Sequence, residues 1–379
     1  MAIRAVFRLL CAILVAAGLV PVPAATAAQR TDLSRAVADS TMRAHPAATL
    51  GTGYPEALFL LGLYRVYQRT HDSRYVDYLE DWGAAKVKTD GSTGNAYNDL
   101  DSMLAGNVFL ILARQTGDQR YALAAERIRT RLATYPRTTD GGFLHNTGLT
   151  GQLWADGAFM LTPFLAHYGA DTGDSFATQQ ASKQLLTYFG HLRNPGGLLY
   201  HAYDETHQAS WADATTGNSP EVWCRAVGWF GAATVDVLDA LPPASPDRGA
   251  LTNIVRYLAD GFRQEQDPAT GRWFQLPVKP ALAGNWTETS CSSLFTYTLS
   301  RGIQRGYLGP DYQPVVDAGY DGVRDRVSVA DGGATQITQI GVGTNVGDQA
   351  FYLARPRATN DFHGIGAFLY LNEQIDSVG

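Results

Sequence analysis

Cysteine is scarce in this chain: three in 379 residues, at Cys11, Cys224 and Cys291. So low a number excludes a disulfide-built scaffold and a four-cysteine zinc site. The eight histidines show neither HxxxH nor HExxH spacing, which removes the zinc-protease type of helix. No G-x-x-x-x-G-K-[ST] phosphate loop and no G-x-S-x-G nucleophile elbow occurs, so nucleotide-dependent and serine-hydrolase chemistry lack their usual carriers. Neither a cofactor nor a metal is expected. Charge is also thin, at 17% of residues, and its balance is acidic, with 30 Lys and Arg against 36 Asp and Glu. A nucleic-acid partner needs a basic face, and none is expected here. The apolar run at residues 9–20 is too short to span a bilayer comfortably.

That run belongs to a segment, residues 1–28, that reads as an export signal. Arg4 and Arg8 precede it, Pro21 and Pro23 break it, and Ala25-Thr26-Ala27 and Thr26-Ala27-Ala28 offer small residues for cleavage near Ala27/Ala28. Two leucines precede Cys11, which argues against a lipoprotein site. The expected product is secreted, monomeric and free of the membrane, with residues 29–379 forming a single domain. Losing Arg4 and Arg8 takes the net charge from −6 to −8. Long-range steering then does not favour an anionic substrate, and the site must supply local positive groups itself. Export permits Cys224 and Cys291 to pair; their spacing leaves that open. Asn285-Trp286-Thr287 matches the short N-glycosylation pattern.

What is abundant is helical periodicity. Apolar spacing over residues 58–67 ends at Thr70-His71-Asp72 and resumes over 76–82; residues 103–112, Thr116-Gly117-Asp118 and 122–132 repeat the plan. A third copy runs over 159–168, Thr172-Gly173-Asp174 and 176–192, and later segments lie at 227–241 with 251–262, 293–306 with 312–326, and from about Gly364 onward. In each of the first three copies the turn ends one helix and its Asp can cap the next. Intervals of 46 and 56 residues between these Asp mark a helix-pair repeat. About six pairs close into an all-α (α/α)6 barrel, a six-hairpin toroid, with apolar inner and charged outer helices. The long connections, residues 84–100, 137–152, 193–223, 266–289 and 331–363, all lead from an outer to the next inner helix, so they gather on one face as the expected site.

Four clusters share those connections: Asn98-Asp99-Leu100-Asp101-Ser102; His145 with Trp154 and Asp156; His201, Trp211 and Asp213 with the run Trp223-Cys224-Arg225-Ala226-Val227-Gly228-Trp229; and Asn360-Asp361-Phe362-His363-Gly364. Asp156 sits in Leu153-Trp154-Ala155-Asp156-Gly157-Ala158-Phe159. An acid among apolar side chains is costly to ionise, so it is expected to carry a raised pKa and hold a proton. Two nearby acids suit glycosidic chemistry, aromatic faces suit sugar rings, and Arg225 can pair with a carboxylate. The plain structural roles stand beside these: Trp154, Trp223 and Trp229 as core, Arg225 as an internal ion-pair partner, His201 and His363 as loop residues bonded to backbone, Asp99 and Asp101 as helix caps.

Six of these phrases, in order, carry a family resemblance: Asp99-Leu100-Asp101-Ser102, Gly141-Gly142-Phe143-Leu144-His145, Leu153-Trp154-Ala155-Asp156-Gly157, Gly197-Leu198-Leu199-Tyr200-His201, Trp223 to Trp229, and Asn360-Asp361-Phe362-His363-Gly364. From about Gly53-Tyr54 to Phe368 the chain resembles the unsaturated rhamnogalacturonyl hydrolases of glycoside hydrolase family 105, and more distantly the unsaturated glucuronyl hydrolases of family 88. The resemblance implies an (α/α)6 barrel and a substrate ending in an unsaturated uronic acid. It also implies Asp156 as general acid and base, Asp101 as second carboxylate, and Tyr54, His145, Trp154, His201, Arg225 and Trp229 as substrate-site residues; His363 joins them from the fourth cluster. The implied reaction is hydration of the C4=C5 enol ether, with Arg225 and His201 holding the substrate carboxylate. One departure stands out: relatives carry Lys after the His of the Gly-Gly-Phe phrase, and this chain has Asn146, which opens the rhamnogalacturonan specificity to question. Three other readings stay open: a polysaccharide lyase with a Tyr or His base, an inverting glycosidase on saturated sugars using Asp101 and Asp156, and a sugar-binding protein, in which inward acids have no task.

Overall fold

A computed structural model describes residues 32–378; the export segment expected at residues 1–28 and its expected cleavage site lie outside the described residues. After α1 (Leu33–Ala44) come five helix pairs: α2 (Tyr54–Thr70) with α3 (Ser73–Lys86), α4 (Ala105–Thr116) with α5 (Gln119–Arg131), α6 (Ala155–Thr172) with α7 (Ser175–Leu192), α8 (Cys224–Ala240) with α9 (Arg248–Glu265), and α10 (Thr289–Gln304) with α11 (Gln313–Arg324). A short α12 (Gln349–Leu353) precedes α13 (Phe362–Asp376).

The repeated turn forms as its chemistry requires. α2, α4 and α6 stop at His71, Gly117 and Gly173 in the left-handed conformation. The next residues, Asp72, Asp118 and Asp174, accept the amides of Arg74, Arg120 and Ala177 and so start α3, α5 and α7. The even-numbered helices through α10 are apolar nearly all round; in α8 every residue from Cys224 to Leu238 is buried. A helix without a polar face must be enclosed. Accordingly α2, α4, α6, α8, α10 and α13 pack in sequence and α13 closes on α2. The outer helices α3, α5, α7, α9 and α11 each lie on their partner, and α1 lies on α13. This is the expected (α/α)6 toroid. Its sixth outer helix, α1, had no counterpart in the sequence reading.

Four connections contain one repeated device. Each outer helix runs into a tight hairpin whose carbonyl bonds a free amide at the head of its own inner helix. His145 O takes Leu100 N–H just before α4, His201 O takes Ala155 N–H, Gln275 O takes Cys224 N–H, and Gln339 O takes Thr289 N–H. Those amides have no partner within the helix, so the hairpins satisfy them. The first two hairpins turn at Gly141 and Gly197, with φ of 94° and 99°, where only glycine fits without strain. The similar phrases ending in His145 and His201 are therefore one structure used twice. Short pairing of β1 (Gln152–Trp154) with β2 (Ala202–Asp204) joins the two loops.

Cys224 and Cys291, at the heads of α8 and α10, form a disulfide, with Cα atoms 5.6 Å apart, closing a separation of 67 residues. Closing so long a loop restricts the unfolded chain. Cys224→Ala/Cys291→Ala is expected to lower stability by about 2–4 kcal/mol, seen as a lower denaturant midpoint; an unchanged midpoint would mean the cross-link contributes nothing. Asn285 is committed elsewhere than to a sugar chain: its amide nitrogen donates to the Leu276 and Lys279 carbonyls. Among the described residues no helix is long and apolar enough to cross a membrane.

Candidate active site

All six inner helices point their N-termini to the loop face, because each begins where a connection from an outer helix ends. Tyr54 is the first residue of α2, Asp156 the second of α6, Arg225 the second of α8 and His363 the second of α13. Asp101 opens a 3₁₀ turn leading into α4, and Glu288 caps α10 by accepting Cys291 N–H. Six positive helix ends thus converge, which supplies part of the local positive field an acidic protein otherwise lacks.

Asp156 is buried and is tied to His201: Asp156 Oδ2 accepts from Nε2 at 2.9 Å. Nδ1 of the same ring meets the Tyr352 hydroxyl at 2.6 Å, and that hydroxyl accepts the Gly347 amide. His201 has no exposed surface and packs against Trp223 at 4.7 Å, so the imidazole is fixed. Burial works to raise the Asp156 pKa, but the attraction and hydrogen bond of His201 overcome it, and the carboxyl ends below its ordinary value. Asp101 has no such donor. It keeps 34% of its side-chain surface accessible, yet its Oδ1 is buried and takes no hydrogen bond from the protein. Burial, with the charges of Asp156 and Asp99, pushes Asp101 up to about 8. The expectation that Asp156 holds the proton is thereby corrected: in the free site Asp156 is the charged member and Asp101 the protonated one. The two acids repel one another, and the effect falls on the one that lacks a partner.

Beside them His145 stacks on Trp154, with centroids 4.3 Å apart and planes 8° from parallel. Burial takes His145 down to about 4, so the ring is neutral. Its Nε2 stands 3.9 Å from Asp101, and its Nδ1 is buried without a partner. On another side the Tyr54 hydroxyl meets His363 Nε2 at 2.6 Å, and His363 Nδ1 meets Asp361 Oδ1 at 2.5 Å. Tyr54 is near enough to feel the charges of Asp101 and Asp156.

Two expected site residues sit differently. Trp229 has no exposed surface; it backs Tyr54 edge-on at 6.4 Å and lies against Phe159 at 4.9 Å, so it supports the wall and does not line it. Arg225 is likewise fully covered. Its guanidinium donates to the carbonyls of Gly341 at 2.5 Å and Val342 at 2.7 Å and lies 3.8 Å from buried Glu288. The expectation that Arg225 meets a substrate carboxylate finds no support in this arrangement; the role weighed beside it, an internal ion-pair partner, does. Asn146 serves its own turn, accepting Gly148 N–H at 2.8 Å. The sequence reading passed over Tyr352 and Glu288. Nothing in their local sequence marks a place in the site, since the contacts that put them there, Tyr352 with His201 and Glu288 with Arg225, come from far along the chain.

A separate cavity of about 240 Å³ lies farther along the inner helices, among Arg65, Arg114, His167, Asp236, Asp239 and Arg301. Its charged groups already pair among themselves or with neighbours, as Arg65 with Asp236, Arg114 with Asp171 and Arg301 with Asp239. The acid pair with free valence is on the loop face.

The family model described as Glycosyl Hydrolase Family 88 matches residues 33–375. A glycoside hydrolase from family 105 of C. acetobutylicum ATCC 824 superposes with a TM-score of 0.87 at 29% identity, covering 91% of this chain and 99% of that one. The 24.9 kDa protein in the picA locus of Rhizobium radiobacter is 33% identical over 221 residues, 55% of this chain and 94% of that protein. The unsaturated glucuronyl hydrolase from Bacillus sp. GL1 shares the fold, with a TM-score of 0.68 at 15% identity, covering 91% and 95% of the two chains.

Proposed function

The chain belongs to glycosyl hydrolase family 88 and shares the six-hairpin toroid of a family 105 enzyme; on that premise we propose that it removes a C4=C5 unsaturated uronic acid from the non-reducing end of polysaccharide-lyase products. The observation that carries this reading is the acid pair, Asp101 pushed up and Asp156 held down, at the mouth of converging helix N-termini. Two carboxyls whose surroundings separate their proton affinities form an acid and base set.

The pair brings one proton to the substrate. An anionic uronate seated against ionised Asp156 raises the proton affinity of Asp156 and draws that proton to it. Asp156 then protonates C4, and positive charge develops on C5 and the ring oxygen, where Asp101, now ionised, opposes it. Asp156, a carboxylate again, takes a proton from the water that attacks C5. The hemiketal opens to a C5 ketone, C1 loses the aglycone as an alcohol, and the sum is substrate plus one water. Trp154, stiffened by His145, and Tyr54 face the ring, and His201 holds Asp156 in place. The aglycone is left unassigned: Asn146 spends its side chain locally, and the positive charge of a Lys is missing there.

Turnover in water–methanol mixtures tests the chemistry. Methanol taking the place of water is expected to add at C5, giving a C5 methyl ketal that has lost the double bond and still carries the aglycone; a methyl glycoside at C1 that keeps the double bond would mean direct cleavage of the glycosidic bond. The pH dependence follows from the Asp101 shift. Its pKa is raised to about 8, so the pair keeps its proton below that value and loses it above. The expected kcat/KM is level near neutrality and falls about tenfold per pH unit above about 8, and Asp101→Asn moves that descent to much lower pH, because the proton must then reside on Asp156, which His201 holds below the ordinary carboxyl value. An unchanged alkaline limb in Asp101→Asn would assign it to another group. Export is part of the same proposal, supported by the residue 1–28 pattern and by the Cys224–Cys291 disulfide, which suits an oxidising compartment.

A further inference from the structure

Behind Tyr54, which faces the ring, His363 and Asp361 continue a line of hydrogen bonds that the reaction as described does not use. Asp361 caps α13 by accepting His363 N–H at 3.0 Å, and the same Oδ1 takes the ring Nδ1 at 2.5 Å. An ionised carboxylate only accepts, so Nδ1 carries the hydrogen. In the neutral ring Nε2 is then an acceptor, and the group it faces, the Tyr54 hydroxyl at 2.6 Å, must donate. Burial and the nearby Arg225 charge both keep His363 uncharged, while the ring's hydrogen bonds and Arg225 keep Asp361 ionised against burial. His363 is 5% exposed, whereas Tyr54 is half-buried at the head of α2. With its only proton committed to His363, the Tyr54 oxygen can offer nothing but lone pairs to whatever enters.

We propose that Asp361 and His363 are positioning residues that hold Tyr54 as a hydrogen-bond acceptor for a ring hydroxyl of the substrate. The inference rests on the functional reading above and narrows it. In a C4=C5 unsaturated uronic acid C6 is the carboxylate and C5 has no hydrogen, so the ring's remaining hydroxyls are those on C2 and C3. Tyr54 therefore reads one of these two and discriminates against rings in which it is absent or carries a sulfate or methyl group. A buried acceptor left without its donor loses the hydrogen bond and retains the desolvation cost, which is the basis of that selectivity.

The test uses the full chain and the 4-nitrophenyl glycosides of the unsaturated uronic acid, in both anomers, with their 2-deoxy and 3-deoxy counterparts. Asp361 also caps a helix, so the variants must separate the two tasks. Asp361→Ser keeps a capping oxygen but does not reach the ring, and Asp361→Asn restores an acceptor there. Tyr54→Phe and Asp361→Ser are each expected to lower kcat/KM about tenfold, with Asp361→Asn recovering most of the loss. The Tyr54→Phe/Asp361→Ser double variant is expected to be no worse than Tyr54→Phe alone, because both act through one oxygen. On one of the two deoxy glycosides Tyr54→Phe is expected to equal the wild type. Additive losses, or equal losses on both deoxy glycosides, would overturn the inference while leaving the activity standing. Thermal unfolding of Asp361→Ser checks the cap: a lower midpoint with unchanged kcat/KM would make Asp361 structural only. No turnover of either parent anomer by the wild type would overturn the functional reading and this inference with it.

Discussion

Asp156→Asn is expected to lower kcat by at least about 10²-fold, the usual scale of a general acid–base contribution, and to leave the fold unchanged. The amide keeps the size of the side chain and can still accept from His201 Nε2, now at 2.9 Å from Asp156 Oδ2. It cannot carry the proton to C4 or take one from water. KM is expected to change much less than kcat, because the carboxylate acts mainly as charge develops. An Asp156→Asn protein that is folded and retains near-normal turnover removes the mechanism. Equal losses in kcat and in thermal stability would instead make the Asp156–His201 bond a structural one.

Arg225→Ala is expected to destabilise the protein by about 3–5 kcal/mol, the scale for removing one member of a buried pair. Glu288, itself fully buried, would lose the cation 3.8 Å away, and the Gly341 and Val342 carbonyls would lose their donor. Denaturant unfolding reads this directly. The pattern matters as much as the size: a large stability loss with little change in KM fits a buried positioning residue. A stable Arg225→Ala protein with a much higher KM would return the guanidinium to the substrate carboxylate. Glu288→Gln provides the companion test: Glu288 takes the Cys291 amide on Oε2 and the Gly341 amide on Oε1, so the amide side chain removes the charge and keeps one of the two acceptors.

The architecture was readable because one local solution recurs. Left-handed stop plus Asp cap appears at Asp72, Asp118 and Asp174 in both sequence and structure, and the long connections between pairs fall on one face by simple alternation. The α1 helix was not readable as a barrel member, since residues 33–44 lack that turn and belong to the ring only through packing on α13. In the site, Asp101, His145, Trp154, Asp156 and His201 come together as their phrases suggested. Their charges were not legible. An apolar sequence around Asp156 implies a raised pKa only if no donor reaches it, and the donor arrives from His201, 45 positions later. Arg225 illustrates the same limit: an Arg among Trp residues looks placed for an anion, but its anion is Glu288, brought alongside by the next inner helix. The Tyr54–His363 contact spans 309 positions and exists only because the toroid closes.

The most direct test of the central claim is ultraviolet absorbance of the conjugated C4=C5 carboxylate in lyase-generated unsaturated oligosaccharides, followed with the wild type and with Asp156→Asn. The account predicts that absorbance falls with the wild type, at a rate at least about 10²-fold above that of the variant, and the oligosaccharide that responds identifies the aglycone. Absorbance that holds steady across pectic, ulvan-like and glycosaminoglycan-derived products, or that rises on intact polysaccharide, would contradict it.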